Sequence, residues 1–240
     1  MKLHRFYIGD IKDKNGPLQL EHSLWINDPE LVKQWTKVLR FEIGEEVVLF
    51  DGKSEDRLYR ITTFEPLSVH LEYITDLERT LPSKEIYLCF SMLKKDNSEW
   101  VLQKCTELGV SHFVPLITDR TEKTGWDMER AEKIVIEASE QCGRSDIPRL
   151  REPISLGSAL EELKDEALFV CDKQEPGTVD AGLSDVPSEA PLVVIVGPEG
   201  GWSDNDHEIM QQYNVRYLHL GSLTLRAETA CVAAVTKLVQ

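Results

Sequence analysis

The chain has 240 residues, of which 41% are hydrophobic, and its 27 lysines and arginines against 42 aspartates and glutamates give a formal net charge of -15. This length and composition fit one large or two ordinary globular domains. No apolar run approaches the roughly 20 residues of a membrane helix, and the N-terminal residues lack the apolar stretch of a signal peptide, so we expect a cytoplasmic protein with no membrane partner.

The acidic balance disfavours a nucleic-acid partner, because phosphates are bound by lysine and arginine. However, residues 151–190 alone contribute about half of the excess, which is compatible with an RNA-facing surface elsewhere. The five cysteines and six histidines form no recognisable ligand spacing. We therefore expect reduced thiols and no metal.

Short strands are predicted along the first part of the chain, at residues 4–8, 46–50, 58–62 and 68–73. A single helix interrupts them. Asp28 is its predicted N-cap and Pro29 lies in its first turn. Trp35 is one of the apolar residues that then recur at helical spacing, which favours a core position for its side chain. The pattern predicts a small closed β-barrel with one helix, as a separate domain over residues 1–75.

Strands then alternate with helices, which is typical of an α/β domain, here predicted over residues 82–240. The continuous apolar runs at 167–171 and 192–196 are typical of buried parallel strands. Residues 174–190, rich in Pro, Gly, Ser and acid, are the expected mobile surface loop. The remaining predicted strands are 86–90, 110–115 and 217–220, and the predicted helices are 97–108, 127–141, 204–213 and 228–239.

A first glycine-containing loop, residues 196–202 (VGPEGGW), leaves the buried strand at 192–196. Ligands of open α/β sheets bind at the carboxyl ends of strands, where glycines let backbone amides approach a ligand. The alternative is a plain strand-to-helix turn. Because the loop lacks the Gly-Lys-Ser/Thr of a phosphate loop, a ligand with less phosphate charge is favoured.

A second loop, residues 220–230 (LGSLTLRAETA), also follows a predicted strand and begins the last helix. Arg226 precedes a first turn that contains Glu228 and Thr229, whereas Ser222 or Thr224 could cap the helix without an arginine. A helix cap and a functional role are equally compatible with this loop alone. Two strand ends that face one cleft favour a site.

Taken together with residues 103–110 (QKCTELGV) and 138–144 (ASEQCGR), the two loops resemble the four hallmark blocks of the bacterial 16S rRNA uridine-N3 methyltransferase family. This family belongs to the SPOUT class of S-adenosylmethionine enzymes. Val38-Leu39-Arg40 with Gly44 and residues 49–52 (LFDG) is similar to the family's PUA-like RNA-binding barrel. The resemblance covers essentially the whole chain, although Trp202 stands where Phe is more usual.

The resemblance implies a C-terminal parallel sheet with helices on both faces and a deep trefoil knot, and a cofactor pocket completed by the second subunit of a homodimer. It also implies methylation of N3 of a specific uridine, with 16S rRNA or the small ribosomal subunit as partner. S-adenosyl-L-methionine is the implied cofactor. By motif match its binding residues would be Gly197, Pro198, Glu199, Gly200, Gly201, Leu220, Gly221, Ser222, Leu223 and Leu225.

The N3 nitrogen of uracil carries a proton that must be removed before it attacks a methyl group. Arg226 is the first candidate for stabilising the uracil anion, and Glu199 and Glu228 are the two candidate proton acceptors in the loops. Glu228 could instead cap its helix or hold Arg226.

Candidate RNA contacts come from the resembling blocks and from the charges beside the strand at 86–90. Gln141 and Arg144 are expected on one helical face, and Trp100 is expected in the core. The candidate RNA-binding residues are Arg40, Lys94, Lys95, Arg120, Gln141 and Arg144.

Two other functions fit the same sequence. A non-catalytic RNA-binding ribosome-assembly factor could keep both domains without the chemistry. An enzyme acting on nucleotide phosphates could use residues 197–201 (GPEGG) as a phosphate loop.

Overall fold

The computed structural model describes residues 3–13, 16–122, 125–173 and 183–239. Its internal contacts divide the chain into two compact units. The first unit comprises Met1–Leu81 and Ser139–Ile147, and the second comprises Pro82–Ala138 and Pro148–Gln240. Of the surface loop expected at 174–190, residues 174–182 lie outside the described ranges.

The first unit is built on a five-stranded sheet in the order β1-β5-β6-β7-β4. β1 and β5 are parallel, and the other neighbouring strands are antiparallel. Along β4, Leu24 and Ile26 are buried whereas Ser23 and Trp25 are exposed, which is the alternation of a sheet with one core face. The strands of this unit are β1 His4–Tyr7, β2 Lys12–Asp13, β3 Gly16–Pro17, β4 Ser23–Ile26, β5 Glu46–Phe50, β6 Asp56–Glu65 and β7 Ser68–Leu77.

The predicted helix of the first unit is present as α1, Pro29–Lys33, and continues as a π-helical segment, Gln34–Leu39. The Asp28 side chain accepts a hydrogen bond of 2.8 Å from the Leu31 amide, as expected for an N-cap. Trp35 is fully buried, which confirms its predicted core position. The segment ends at Arg40, whose φ of 57° is left-handed.

Residues 139–147 belong to the first unit through a buried polar cluster. Asp56, which is fully buried, pairs with Arg5 at 2.5 Å and accepts a hydrogen bond of 2.6 Å from the Ser145 hydroxyl. The Glu140 carboxylate accepts a hydrogen bond of 2.8 Å from the Tyr7 amide. A buried carboxylate is tolerated because it is paired, so these contacts hold the 139–147 segment on the sheet.

The second unit contains a parallel sheet in the order β10-β9-β8-β13-β12-β14, with β11 also paired to β9. Every described pairing in it is parallel, which confirms the predicted α/β class. The last strand was expected at 217–220 but lies at Val215–Tyr217, beside β12. The strands are β8 Ile86–Ser91, β9 His112–Ile117, β10 Arg149–Leu150, β11 Ile154–Ser155, β12 Ala167–Cys171, β13 Leu192–Val196 and β14 Val215–Tyr217.

In the described part of this unit, the α-helices are α2 Lys95–Glu107, α3 Met128–Cys142, α4 Leu156–Glu162, α5 Asp204–Met210 and α6 Ala227–Val239, and a short 3-10 helix covers Leu183–Asp185. The sequence did not predict α4, and α5 ends three residues before the predicted 213. Trp100 on α2 is 40% exposed, so its predicted core position was wrong. Within the described ranges, no helix combines the length and hydropathy that crossing a bilayer requires.

The path of the chain after β14 brings the two glycine loops together. β14 lies at the edge of the sheet beside β12, whereas α6 packs against α2, β8 and β13. Residues 218–226 must therefore pass back across the carboxyl ends of β12 and β13. At that edge they meet the loop that follows β13.

Candidate functional site

A cavity of about 460 Å³ lies where the chain leaves β12, β13 and β14. Its volume lies within the range of small-molecule pockets in proteins. The three segments that form it are the end of β12, the first glycine loop and the segment from β14 into α6. The lining residues are Cys171, Asp172, Lys173, Val196, Gly197, Pro198, Glu199, Gly201, Trp202, Leu218, His219, Leu220, Gly221, Leu223, Thr224, Leu225, Arg226, Ala227 and Ala230.

Most of the residues predicted to bind a cofactor line this cavity. They are Gly197, Pro198, Glu199, Gly201, Leu220, Gly221, Leu223 and Leu225. The structure places Gly200 and Ser222 outside the lining, with both residues exposed to solvent. Sequence spacing thus located the two loops, but not which residue of each loop faces inward.

The first loop is shaped by the packing of Trp202 on Gly197. A Cβ atom at position 197 would lie 2.8 Å from the Cε2 atom of Trp202. The indole is 5% exposed, and its Nε1 donates a hydrogen bond of 3.0 Å to the Cys171 carbonyl at the end of β12. Trp202 is therefore a wall of the cavity that ties two strand ends together, and its ring is not free to stack on a base.

The second loop is tied to the end of β12 by a side-chain contact. Lys173 donates a hydrogen bond to the Thr224 hydroxyl. Gly221 has a φ of 121°, a conformation that side chains rarely adopt. Leu223 is 78% exposed, so this loop presents an apolar side chain at the cavity.

Two charged side chains at the cavity have no protein partner within the described ranges. Both Arg226 and Glu199 are exposed, and their side chains make no ion pair or hydrogen bond there. Glu228 does not line the cavity, and its Oε2 atom is buried without a hydrogen bond. The structure thus brings Arg226 and Glu199 to one cavity and leaves Glu228 in the first turn of α6.

The sequence interpretation missed the contribution of β12. Asp172 lines the cavity and lies 3.3 Å from the Nε2 atom of His207 on α5. Lys173 and Cys171 also line it, and burial raises the pKa of the Cys171 thiol to about 12. A signal was available, because residues 167–171 were predicted as a buried parallel strand whose carboxyl end shares the edge of the first loop.

The profile of a protein family described as an RNA methyltransferase domain matches residues 79–239. The chain belongs to this RNA methyltransferase family. The matched range includes β8 to β14 and every residue that lines the cavity.

Relatives of this RNA methyltransferase align over nearly its whole length. The ribosomal RNA small subunit methyltransferase E of Rickettsia conorii is 27% identical over 238 residues, covering 99% of this chain and 95% of the relative. A methyltransferase of Legionella pneumophila, solved with bound SAM, is 30% identical with a TM-score of 0.85, and the match covers 99% of this chain and 97% of that one. Ribosomal RNA small subunit methyltransferase E of Neisseria gonorrhoeae, solved with S-adenosyl methionine, is 27% identical with a TM-score of 0.83, covering 98% and 96%.

Three of the candidate RNA contacts of the methyltransferase lie in the second unit. Lys94 and Lys95 are exposed at the start of α2, and Lys95 lies 3.9 Å from Glu99 in a solvated ion pair. Arg120, in the turn after β9, donates a hydrogen bond of 2.9 Å to the Gly200 carbonyl. Arg120 therefore contacts the first glycine loop directly.

The other three candidates lie in the first unit. Arg40 and Gln141 are exposed. The prediction that Gln141 and Arg144 share a helical face was wrong, because α3 ends at Cys142 and Gly143 adopts a φ of 87°. Arg144 is instead 4% exposed, and its guanidinium holds the Asp146 carboxylate through bonds of 2.9 and 2.7 Å.

The described residues hold no group of three or more His, Cys, Asp or Glu side chains that could bind a metal ion. All five cysteines are free thiols, and Cys142 is the exposed one. Besides the Cys171 thiol, the ionisable side chains that line the cavity are those of Arg226, Glu199, Asp172, Lys173 and His219.

Proposed function

We propose that this protein uses S-adenosylmethionine to methylate N3 of a specific uridine in 16S rRNA. The observation that carries the proposal is that both glycine loops line one cavity, at which the Arg226 side chain has no partner among the described residues. The names of the Rickettsia and Neisseria relatives support rRNA as the substrate class, and the two structures solved with the cofactor support its identity.

The cavity suits this cofactor by its lining and by what its loops can offer. Pro198, Leu220, Leu223 and Leu225 provide apolar contact for an adenosyl group, and the glycines leave backbone groups within reach. The cofactor has no phosphate, in agreement with a loop that lacks a phosphate-binding lysine. When bound, it supplies an electrophilic methyl group on a sulfonium.

Arg226 is proposed to stabilise the uracil anion. Loss of the N3 proton places negative charge on O2 and O4 of the ring, and a guanidinium can donate two parallel hydrogen bonds. Arg226 immediately precedes α6, so the positive end of the helix dipole adds to its field. Its lack of a protein partner within the described ranges leaves its donors available to the base.

Glu199 is proposed as the proton acceptor in preference to Glu228. A general base must reach the proton that it removes, and Glu199 lines the cavity with an exposed carboxylate. Glu228 is outside the lining and has one buried oxygen, which favours a role within the first turn of α6. In this assignment, the two groups that the chemistry requires come from different loops.

We further propose that residues 1–75 form a PUA-like barrel for RNA binding and that residues 82–240, apart from the 139–147 segment of the first unit, form a SPOUT domain with a trefoil knot. The backward passage of residues 218–226 across the sheet edge supports a knotted path. A cytoplasmic homodimer is proposed, in which a second subunit completes the pocket. The cavity is open and carries the exposed Leu223, which supports a partner surface at this edge.

The test combines cofactor binding with analysis of the product. Calorimetry on the purified protein should show binding of S-adenosylmethionine and its displacement by S-adenosylhomocysteine, but not by ATP. Nucleoside analysis of 16S rRNA or of small subunits treated with enzyme and cofactor should then show 3-methyluridine. Cofactor binding without any methylated nucleoside from either substrate would contradict the proposal.

A further inference from the structure

The turn that follows β9 makes ordered contacts with itself. The Thr121 amide donates a hydrogen bond of 3.0 Å to the Thr118 carbonyl, and the Thr118 amide donates one of 2.9 Å to the Thr121 hydroxyl. These two bonds close the 118–121 turn on both sides. The side chains of Asp119 and Arg120 therefore project from a backbone of defined shape.

Arg120 attaches this turn to the first glycine loop, and Asp119 attaches it to the start of α5, which follows that loop. Arg120 Nη1 donates a hydrogen bond of 2.9 Å to the Gly200 carbonyl, in the middle of the loop. Asp119 Oδ2 accepts bonds of 2.8 Å from the Ser203 hydroxyl and 3.1 Å from the Asn205 side-chain amide, where the loop enters α5. Adjacent residues thus fix both the middle of the loop and the helix start that follows it.

The end of the loop is further defined by a capping box. The Ser203 hydroxyl accepts a hydrogen bond from the Asp206 amide, and the Asp206 carboxylate accepts one from the Ser203 amide. In this arrangement the Ser203 oxygen is the acceptor, so its hydroxyl proton remains available for the hydrogen bond to Asp119. On the other side, the indole of Trp202 is bonded to the Cys171 carbonyl. Around Gly200, the described contacts are a backbone hydrogen bond of 2.9 Å from the Gly201 amide to the Pro198 carbonyl and the side-chain hydrogen bond from Arg120.

We propose that Arg120 and Asp119 are positioning residues that hold the first glycine loop in its ligand-binding shape. The proposal rests on the proposed function, because it takes the ligand of that loop to be S-adenosylmethionine. The Gly200 carbonyl, outside the cavity lining, accepts the hydrogen bond from the Arg120 guanidinium, while Gly197 and Gly201 line the cavity. Arg120 therefore acts on the ligand through the backbone, and the expectation that it contacts RNA becomes the competing outcome.

The first test replaces Arg120 by methionine, which keeps the aliphatic stem and removes the donors and the charge. Affinity is lower when a loop must become ordered during binding. Loss of the hydrogen bond between Arg120 and the Gly200 carbonyl should therefore raise the Kd for S-adenosylmethionine about fivefold. Calorimetry without RNA measures this. The Kd for an rRNA fragment, with its salt dependence, should stay within twofold of the wild-type value.

The matched control is Arg130→Met. Arg130 is also an exposed arginine, but it lies on α3 outside the cavity lining, where it pairs with Glu99 at 2.8 Å. Both Kd values should be unchanged in this variant. Arg120→Lys, which retains a donor that can reach the carbonyl, should recover most of the lost cofactor affinity.

Asp119 offers a second, independent comparison. Asp119→Ala removes the acceptor of both bonds and should raise the cofactor Kd severalfold, whereas Asp119→Asn keeps an oxygen and should stay near wild type. Thermal unfolding of each variant separates a local effect from a loss of the folded state. An equal loss of cofactor affinity in Arg120→Lys and Asp119→Asn would show that the named hydrogen bonds do not cause the change in Kd.

An unchanged cofactor Kd in Arg120→Met overturns the proposal. If the RNA Kd rises at the same time and its salt dependence falls, Arg120 is an RNA contact instead. Failure of the proposed function gives a different result, because the wild-type protein would then bind no S-adenosylmethionine and the comparison among variants would have no reference.

Discussion

The contact between Gly197 and Trp202 allows a single methyl group to probe the cofactor loop. In Gly197→Ala the new Cβ would lie 2.8 Å from Trp202 Cε2, about 0.6 Å short of the 3.4 Å at which ordinary contact begins. The indole cannot retreat freely, because it is 5% exposed and bonded to the Cys171 carbonyl. The backbone conformation of Gly197 is not left-handed, so the effect isolates this contact.

Overpacking of this kind costs about 1–3 kcal/mol. If the loop relieves it by leaving its ligand-binding shape, the Kd for S-adenosylmethionine should rise roughly 5- to 150-fold, since about 1.4 kcal/mol corresponds to tenfold. Calorimetry measures the Kd, and thermal unfolding should show a decrease of only a few degrees, at about 2–4 °C per kcal/mol for a chain of this size.

Two further variants make this prediction specific. Gly157→Ala on α4, where the nearest atom to a new Cβ is Ile209 Cγ2 at 3.8 Å, should leave the Kd unchanged. Trp202→Phe introduced into Gly197→Ala should restore part of the affinity, because the smaller ring vacates the space. Wild-type affinity in Gly197→Ala alone would show that the contact with Trp202 does not control the shape of the loop.

The catalytic assignments and the thiols lead to separate expectations. Arg226→Ala should change the cofactor Kd by less than about twofold while methyl transfer falls by about 10²–10³ in kcat, as for loss of an anion-stabilising donor; retained turnover would remove its assigned role. Glu199→Gln should lower kcat more than Glu228→Gln, and the opposite order in single-turnover rates would exchange the two assignments. Cys142, which is exposed, should react with a thiol reagent at neutral pH in the native protein, whereas the buried Cys89, Cys105 and Cys231 should stay protected until unfolding. Burial also raises the pKa of these three thiols.

The parallel sheet could be predicted because its central strands carry their own signal. Ala167–Cys171 and Leu192–Val196 are continuous apolar runs, and both became neighbouring buried strands. The short helix Leu156–Glu162 was missed because Gly157 and Ser158 weaken its pattern, and it is fixed instead by burial of Leu156, Ala159 and Leu160. Local preference was overridden there by packing.

The sequence predicted which loops form the site, but it did not predict which side chains of those loops face the cavity. Spacing identified the two glycine loops, but the positions of Gly200 and Trp202 depend on contacts with Arg120 and Cys171, which are distant in sequence. The same holds for Arg144, which a turn at Gly143 diverts into a bond with Asp146. Such long-range and irregular-backbone effects leave no periodic trace in a single sequence.

If the cavity between the two loops serves methylation of a uridine in 16S rRNA, the mass spectra of 16S rRNA from cells with and without the gene will differ. We expect one uridine to carry an additional methyl group on N3 only when the gene is present, and we expect that a gene encoding Arg226→Ala does not restore it. Identical 16S rRNA modification in both strains would show that the cavity does not serve this reaction.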